Sequence, residues 1–87
     1  MFCIIIYDVS QNKVSKVCNF LRRYLNWVQN SVFEGELGEA AINEIKAYLG
    51  TVLDKNIDSV FIYLIRSEKE VKKEIIGIEK VNISRIL

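Results

Sequence analysis

Asp8 closes the apolar stretch MFCIIIYD, where an unpaired acid is costly to bury. Its type and position suit a hard cation, because Mg²⁺ takes one or two carboxylates and completes its shell with waters and substrate phosphates. On a strand, Asp8 projects from the same face as Ile4 and Ile6. A twofold axis near that face would bring two Asp8 carboxylates together, and like charges that close need a cation between them. A turn residue or a helix-start anion is the other reading of an Asp at this place, and residue type alone leaves both open. Basic side chains follow at Lys13, Lys16, Arg22 and Arg23, suited to phosphate contacts that carry no base readout. The chain has no histidine, which excludes a Ser-His-Asp triad, a Cys-His dyad, His-ligated zinc and an imidazole base. Chemistry is left to carboxylates, Lys, Tyr or a metal. Cys3 and Cys18 are too few for a zinc site or a disulfide framework and read as reduced core thiols.

The elements that must position these groups follow from hydrophobic spacing. Phe2 to Val9 is a β-branched apolar run ended by Ser10-Gln11-Asn12, a strand and a turn. Val14, Val17, Cys18, Leu21, Tyr24 and Leu25 form one helical stripe, with Lys13, Lys16, Asn19, Arg22 and Arg23 on the other side and Ser10 or Asn12 available as cap. Trp27 to Glu36 is β-rich, and Asn30-Ser31 marks a kink or a break into two strands. A second stripe, Leu37, Ala41, Ile45, Tyr48, Leu49 and Val52, ends at Lys55-Asn56. Asp58 introduces the most hydrophobic strand, Ser59 to Ile65, followed by a charged stretch, a short strand candidate at Glu74–Glu79 and the tail Lys80–Leu87.

This order predicts an α+β fold, a ferredoxin-like βαββαβ sandwich with an extra C-terminal strand. Residues 1–66 form the expected core and residues 67–87 a C-terminal strand and tail. Residues 2–6 and 60–65 are apolar at every position, whereas a half-exposed antiparallel strand should alternate. Something must cover the second sheet face, and a symmetric homodimer does so with one self-complementary surface. The alternative is a tail of the same chain folded over it.

With 87 residues, one compact domain is the ceiling, and a chain this small buries only about 60–65% of its unfolded surface, so its core is thin. The net charge of +1 is unevenly spread: +2 over residues 1–34, −3 over 35–58 and +2 over 59–87. Basic residues thus gather near the first helix and the tail, as phosphate binding or a solvated face would require. No apolar run approaches the about 20 residues of a membrane span. The N-terminus has no basic region before its apolar stretch and reads as a strand, not a signal peptide, so a cytoplasmic location without membrane contact is expected.

YDVS at Tyr7–Ser10, the basic amphipathic helix after it and QNSVFEGEL at Gln29–Leu37 together resemble the CRISPR-associated protein two family, the small dimeric adaptation protein, over roughly residues 1–65. The resemblance implies a ferredoxin-like homodimer in which Asp8 of each subunit shares a divalent metal. It implies a metal-dependent endonuclease acting on single-stranded RNA or duplex DNA, and a bridging part of the spacer-integration complex whose partner is the CRISPR integrase. The C-terminal segment would then pack on the partner subunit or the integrase. Tyr7, Ser31 and Phe33 fall on motif positions and become supporting residues, Phe33 also reading as core. Many relatives carry more arginine around YD and before SVF, where this chain has Gln11, Asn12, Lys13 and Asn30. Lysine lacks arginine's bidentate grip on phosphate, so phosphate clamping is expected to be weaker.

Three functions follow. A Mg²⁺-dependent phosphodiesterase would use the metal to polarise the phosphate and activate water. A non-catalytic scaffold would hold duplex DNA by its backbone through Lys13, Lys16, Arg22, Arg23 and the tail lysines. A ligand-binding ferredoxin-like regulatory module accounts for the fold equally well and for the basic residues less well.

Overall fold

The computed structural model describes residues 1–79. The chain runs β1 (Phe2–Asp8), α1 (Val14–Leu21), β2 (Asn26–Gln29), β3 (Val32–Glu36), α2 (Glu39–Val52) and β4 (Ser59–Ile65), with 3-10 turns at Gln11–Lys13 and Glu68–Glu70. The four strands form one antiparallel sheet in the order β2-β3-β1-β4. Both helices lie on one face, giving the ferredoxin-like sandwich expected from the element order.

Alternation along β1 divides the sheet. Cys3, Ile5 and Tyr7 point to the helices and are buried, as are Phe33 of β3 and Val17, Leu21, Ile42, Ile45 and Leu49 of the helices. Ile42 lay outside the stripe read from the sequence. Gly35 sits where Leu25 crosses β3, and a Cβ there would come within 3.1 Å of Leu25 Cδ2. The Asn30-Ser31 break proves to be the tip of the β2–β3 hairpin, where Asn30 takes a φ of 46°, a left-handed conformation that Asn tolerates.

The other face carries Phe2, Ile4, Ile6 and Asp8, flanked in register by Val32, Glu34 and Glu36 of β3 and by Ser59, Phe61, Tyr63 and Ile65 of β4. Its Asp8 end is open: Ile6, Phe61 and Tyr63 are 40%, 57% and 49% exposed. At its Phe2 end the chain returns across the sheet. Lys73 Nζ bonds Glu34 Oε2 at 2.8 Å, and Phe2, Ile4 and Val71 line one cavity. Among the described residues, the same chain therefore covers one end of this face and leaves the other bare.

Three sequence expectations are corrected. The first helix stops at Leu21, and Tyr24 and Leu25 follow in a turn that still sends Leu25 into the core. Neither Ser10 nor Asn12 caps that helix, because the Ser10 hydroxyl donates instead to Asp58 at 3.1 Å. No strand forms at Glu74–Glu79: the segment pairs with no sheet edge, Ile75, Ile76 and Ile78 stand exposed, and Gly77 turns the chain at φ 102°. A strand exists only through hydrogen bonds to a neighbour, and among the described residues the segment joins no ladder. The tail expected at Lys80–Leu87 lies outside the described residues.

Candidate functional site

Asp8 is the last residue of β1, opposite Ser59 of β4, and its side chain is exposed on the open face beside Ile6. It lines a depression of about 230 Å³ together with Tyr7, Val9, Val14, Asn30 and Ser31. One bond fastens the β2–β3 tip to this strand end, and a second braces the tip from within its own hairpin. The Tyr7 N–H donates to the Ser31 carbonyl at 3.1 Å, and the Trp27 indole N–H donates to the Asn30 carbonyl at 2.9 Å. Two motif stretches far apart in sequence, YDVS and QNSVF, thus meet at one place.

Alternation separates their roles. Tyr7 points to the helices, is buried, and stacks on Phe33 with ring centroids 6.2 Å apart. Burial raises its phenol pKa, the neighbouring Cys18 thiol adds to the rise, and Arg22 opposes it. Phe33 is fully enclosed and acts as core. Both support the site by fixing the strands beneath it; neither side chain faces the depression's open side with Asp8. Cys3 is buried and Cys18 half-buried, both free thiols, and burial raises the Cys3 pKa.

The basic residues split into two groups. Lys13 is not a free cation: its ammonium pairs with the Asp58 carboxylate at 2.6 Å, with only 22% of the Lys13 side chain exposed. Lys16, Arg22 and Arg23 are exposed, the latter two just past the end of α1. Arg22 Nε donates to Cys18 Sγ at 3.4 Å and Arg23 lies over the Phe20 ring at 5.9 Å, contacts that orient the guanidiniums without neutralising them. Among the tail lysines, Lys72 and Lys73 are ion-paired with Glu74 and with Glu34 and Glu79.

Sequence reasoning read Asp58 only as the entry to β4. Its carboxylate is enclosed and accepts from Ser10 N at 2.8 Å, Ser10 Oγ at 3.1 Å, Lys13 Nζ at 2.6 Å and Asp54 N at 2.9 Å. The Lys13 bond above all, then the backbone N–H groups of Asp54 and Ser10, hold its pKa well below the ordinary carboxylate range against the opposing effect of burial. An acid directly before the most apolar strand was the signal, and it does not name partners 45 and 48 residues away.

Across the sheet from Asp8, a cavity of about 260 Å³ is walled by Glu34, Glu36, Glu68 and Glu79, with Lys73 tied to Glu34. Glu34 and Glu79 are already engaged in ion pairs with Lys73 and Glu36 with the N-terminal ammonium, whereas the two motif stretches meet at the Asp8 end, which is therefore the candidate site. Among the described residues no group of three or more His, Cys, Asp or Glu could hold a metal. Asp8 offers one carboxylate, and Asn30 and Ser31 line the same depression. A single exposed carboxylate is compatible with Mg²⁺, which takes one or two carboxylates and completes its shell with water and phosphate.

The family model described as CRISPR associated protein Cas2 matches residues 1–73. The chain belongs to the Cas2 family. A relative from Archaeoglobus fulgidus named CRISPR-associated endoribonuclease Cas2 2 is 49% identical over 80 residues, 92% of this chain and 87% of that one. A Thermococcus kodakarensis relative, CRISPR-associated endoribonuclease Cas2, is 48% identical over the whole of both chains. The fold superposes on a Cas2 crystal structure with a TM-score of 0.83 at 38% identity, covering 92% of this chain and 90% of that one. Streptococcus pyogenes Cas2 at pH 6.5 gives 0.77 at 29% identity, covering 88% of this chain and all of that one. The resemblance carried by YDVS and QNSVFEGEL therefore holds, as does the ferredoxin-like fold. Among the described residues no helix is long and apolar enough to cross a membrane.

Proposed function

We propose that this Cas2 family member acts in CRISPR adaptation as a homodimer that binds nucleic acid and cleaves it as a Mg²⁺-dependent endonuclease, with Asp8 as metal ligand and catalytic residue. The observation that carries this reading is the exposed Asp8 carboxylate at a strand end, in a depression shared with Ser31 and Asn30 and bordered by bare apolar sheet. The endoribonuclease names of the relatives agree with it. Asp8 holds the cation, and a second copy seated on Ile6, Phe61 and Tyr63 would supply the other carboxylate. Bound Mg²⁺ supplies charge neutralisation at a phosphodiester and acidifies water. Ser31 and Asn30 present a hydroxyl and an amide to the phosphate or sugar, and Lys16, Arg22 and Arg23 hold the backbone beyond. Lys13 contributes less than its charge suggests, because Asp58 already neutralises it.

A second reading is a non-catalytic duplex-DNA scaffold bridging integrase subunits during spacer acquisition. It is favoured by the three exposed cations around α1, which suit sequence-tolerant backbone contacts. The two readings part on Asp8. Mg²⁺-dependent cleavage lost in Asp8→Ala supports the first, and spacer acquisition that survives the same change supports the second.

A further inference from the structure

We propose that Asp58 is a positioning residue for the Asp8 site, a role that rests on the metal-binding reading of Asp8. An aspartate is rarely enclosed unless paired, and the Asp58 side chain is 0% exposed. Both of its oxygens are fully used: Oδ1 accepts from the Ser10 N–H and hydroxyl, Oδ2 from Lys13 and the Asp54 N–H. Three of these four bonds reach across the fold to the connection that begins two residues after Asp8.

The register explains why this controls Asp8. The β1–β4 ladder ends at the Asp8–Ser59 pair, and Asp58 is the residue immediately before β4. Its bond to the Ser10 N–H continues the tie between the two chain segments past the point where the ladder stops. On the other flank, Tyr7 N–H is fixed to Ser31. Asp8 is therefore bracketed on both sides by backbone tethers, one to the hairpin tip and one to Asp58. A Ser10 hydroxyl used as a helix cap would have tied α1 only to itself. Used on Asp58, it ties the Asp8 connection to β4. Lys13 completes the arrangement by compensating a buried charge that would otherwise add a second negative centre near Asp8 and repel phosphate. Groups that orient a ligand from behind typically change metal affinity or activity by about 10–100-fold when removed.

The test titrates ¹⁵N-labelled wild type and Asp58→Asn with Mn²⁺ alone, following paramagnetic broadening at the Asp8 and Val9 amides. Amide exchange at Ser10 and Asp54 is compared with that at Ile5, and RNA cleavage is measured in Mg²⁺. Asparagine keeps the shape but sets an amide N–H against the Lys13 and Asp54 donors. The expected result is a Mn²⁺ midpoint raised about tenfold or more, exchange faster at Ser10 and Asp54 than the change at Ile5 explains, and kcat reduced with KM nearly constant. A folded Asp58→Asn with wild-type midpoint and exchange overturns the positioning role alone. A wild type in which Mn²⁺ leaves Asp8 untouched overturns the metal reading and the positioning role together. If Asp58→Asn does not fold, Ser10→Ala, which deletes one hydrogen bond and no charge, carries the test. A midpoint raised about threefold supports the role, and an unchanged one overturns it.

Discussion

Ile6 and Phe61 face each other across β1 and β4 on the sheet face opposite the helices, both solvent-exposed in the single chain. With Tyr63 beside them they make a bare apolar surface next to Asp8, and such surfaces mark contact sites. The proposed homodimer would form through this face. Sedimentation equilibrium at micromolar concentration should give twice the 10.1 kDa chain mass, and Phe61→Glu should return the monomer with its circular dichroism intact. A wild-type monomer would remove both the dimer and a metal site shared between chains.

Phe33 sits at the centre of the core under the β2–β3 tip, at 0% exposure. Phe33→Ala should cost about 3–5 kcal/mol in denaturant unfolding, because the cavity opens beneath Tyr7 and cannot collapse. A loss under about 1 kcal/mol would show that the strands are held by something other than this packing.

Asp58 sets a pH dependence whose sign is fixed by its partners. Its folded pKa lies below the ordinary aspartate value of 3.8, so its contribution to stability is complete above that value and is lost as pH falls through the lowered one. Thermal unfolding from about pH 5 to about pH 2 should show a fall in wild type that is shallower in Asp58→Asn. Parallel curves for the two proteins would contradict the ion-paired Asp58.

Exposed and neutralised cations should behave differently on DNA. Duplex binding should weaken steeply with salt, and Lys16→Ala, Arg22→Ala and Arg23→Ala should each flatten the salt slope by about one unit. Lys13→Ala should lower thermal stability more than it changes the slope, since its charge is held by Asp58. Fluorescence anisotropy across a salt series reads the slopes; equal slopes for wild type and the three variants would remove α1 from the nucleic-acid surface.

Much of this arrangement was legible in the sequence because it rests on local pattern. Continuous apolar, β-branched runs placed β1 and β4, helical spacing placed α2, and the Asp8 face followed from its offset to Ile4 and Ile6. What escaped depends on long-range contacts that spacing does not encode. Ser10 looked like a cap and Lys13 like a free phosphate contact because Asp58, 48 and 45 residues away, was seen only as the start of a strand. The apolar residues Ile75, Ile76 and Ile78 suggested a strand, yet a strand also needs an edge to pair with, and hydropathy says nothing of which edges remain open. The Phe2 end of the sheet face is covered by the chain's own return through Lys73 and Glu34, an ion pair 39 residues apart that charge counting along the chain does not reveal.

The most direct measurement is Mg²⁺-dependent cleavage of matched RNA and duplex DNA by purified wild type and Asp8→Asn, alongside their sedimentation and DNA binding. Asparagine preserves shape and removes the charge, so cleavage should fall by orders of magnitude while dimerisation persists and DNA binding holds or tightens, an unneutralised carboxylate being repulsive to phosphate. Undiminished Mg²⁺-dependent cleavage by Asp8→Asn would contradict the account and take Asp8 out of the active site.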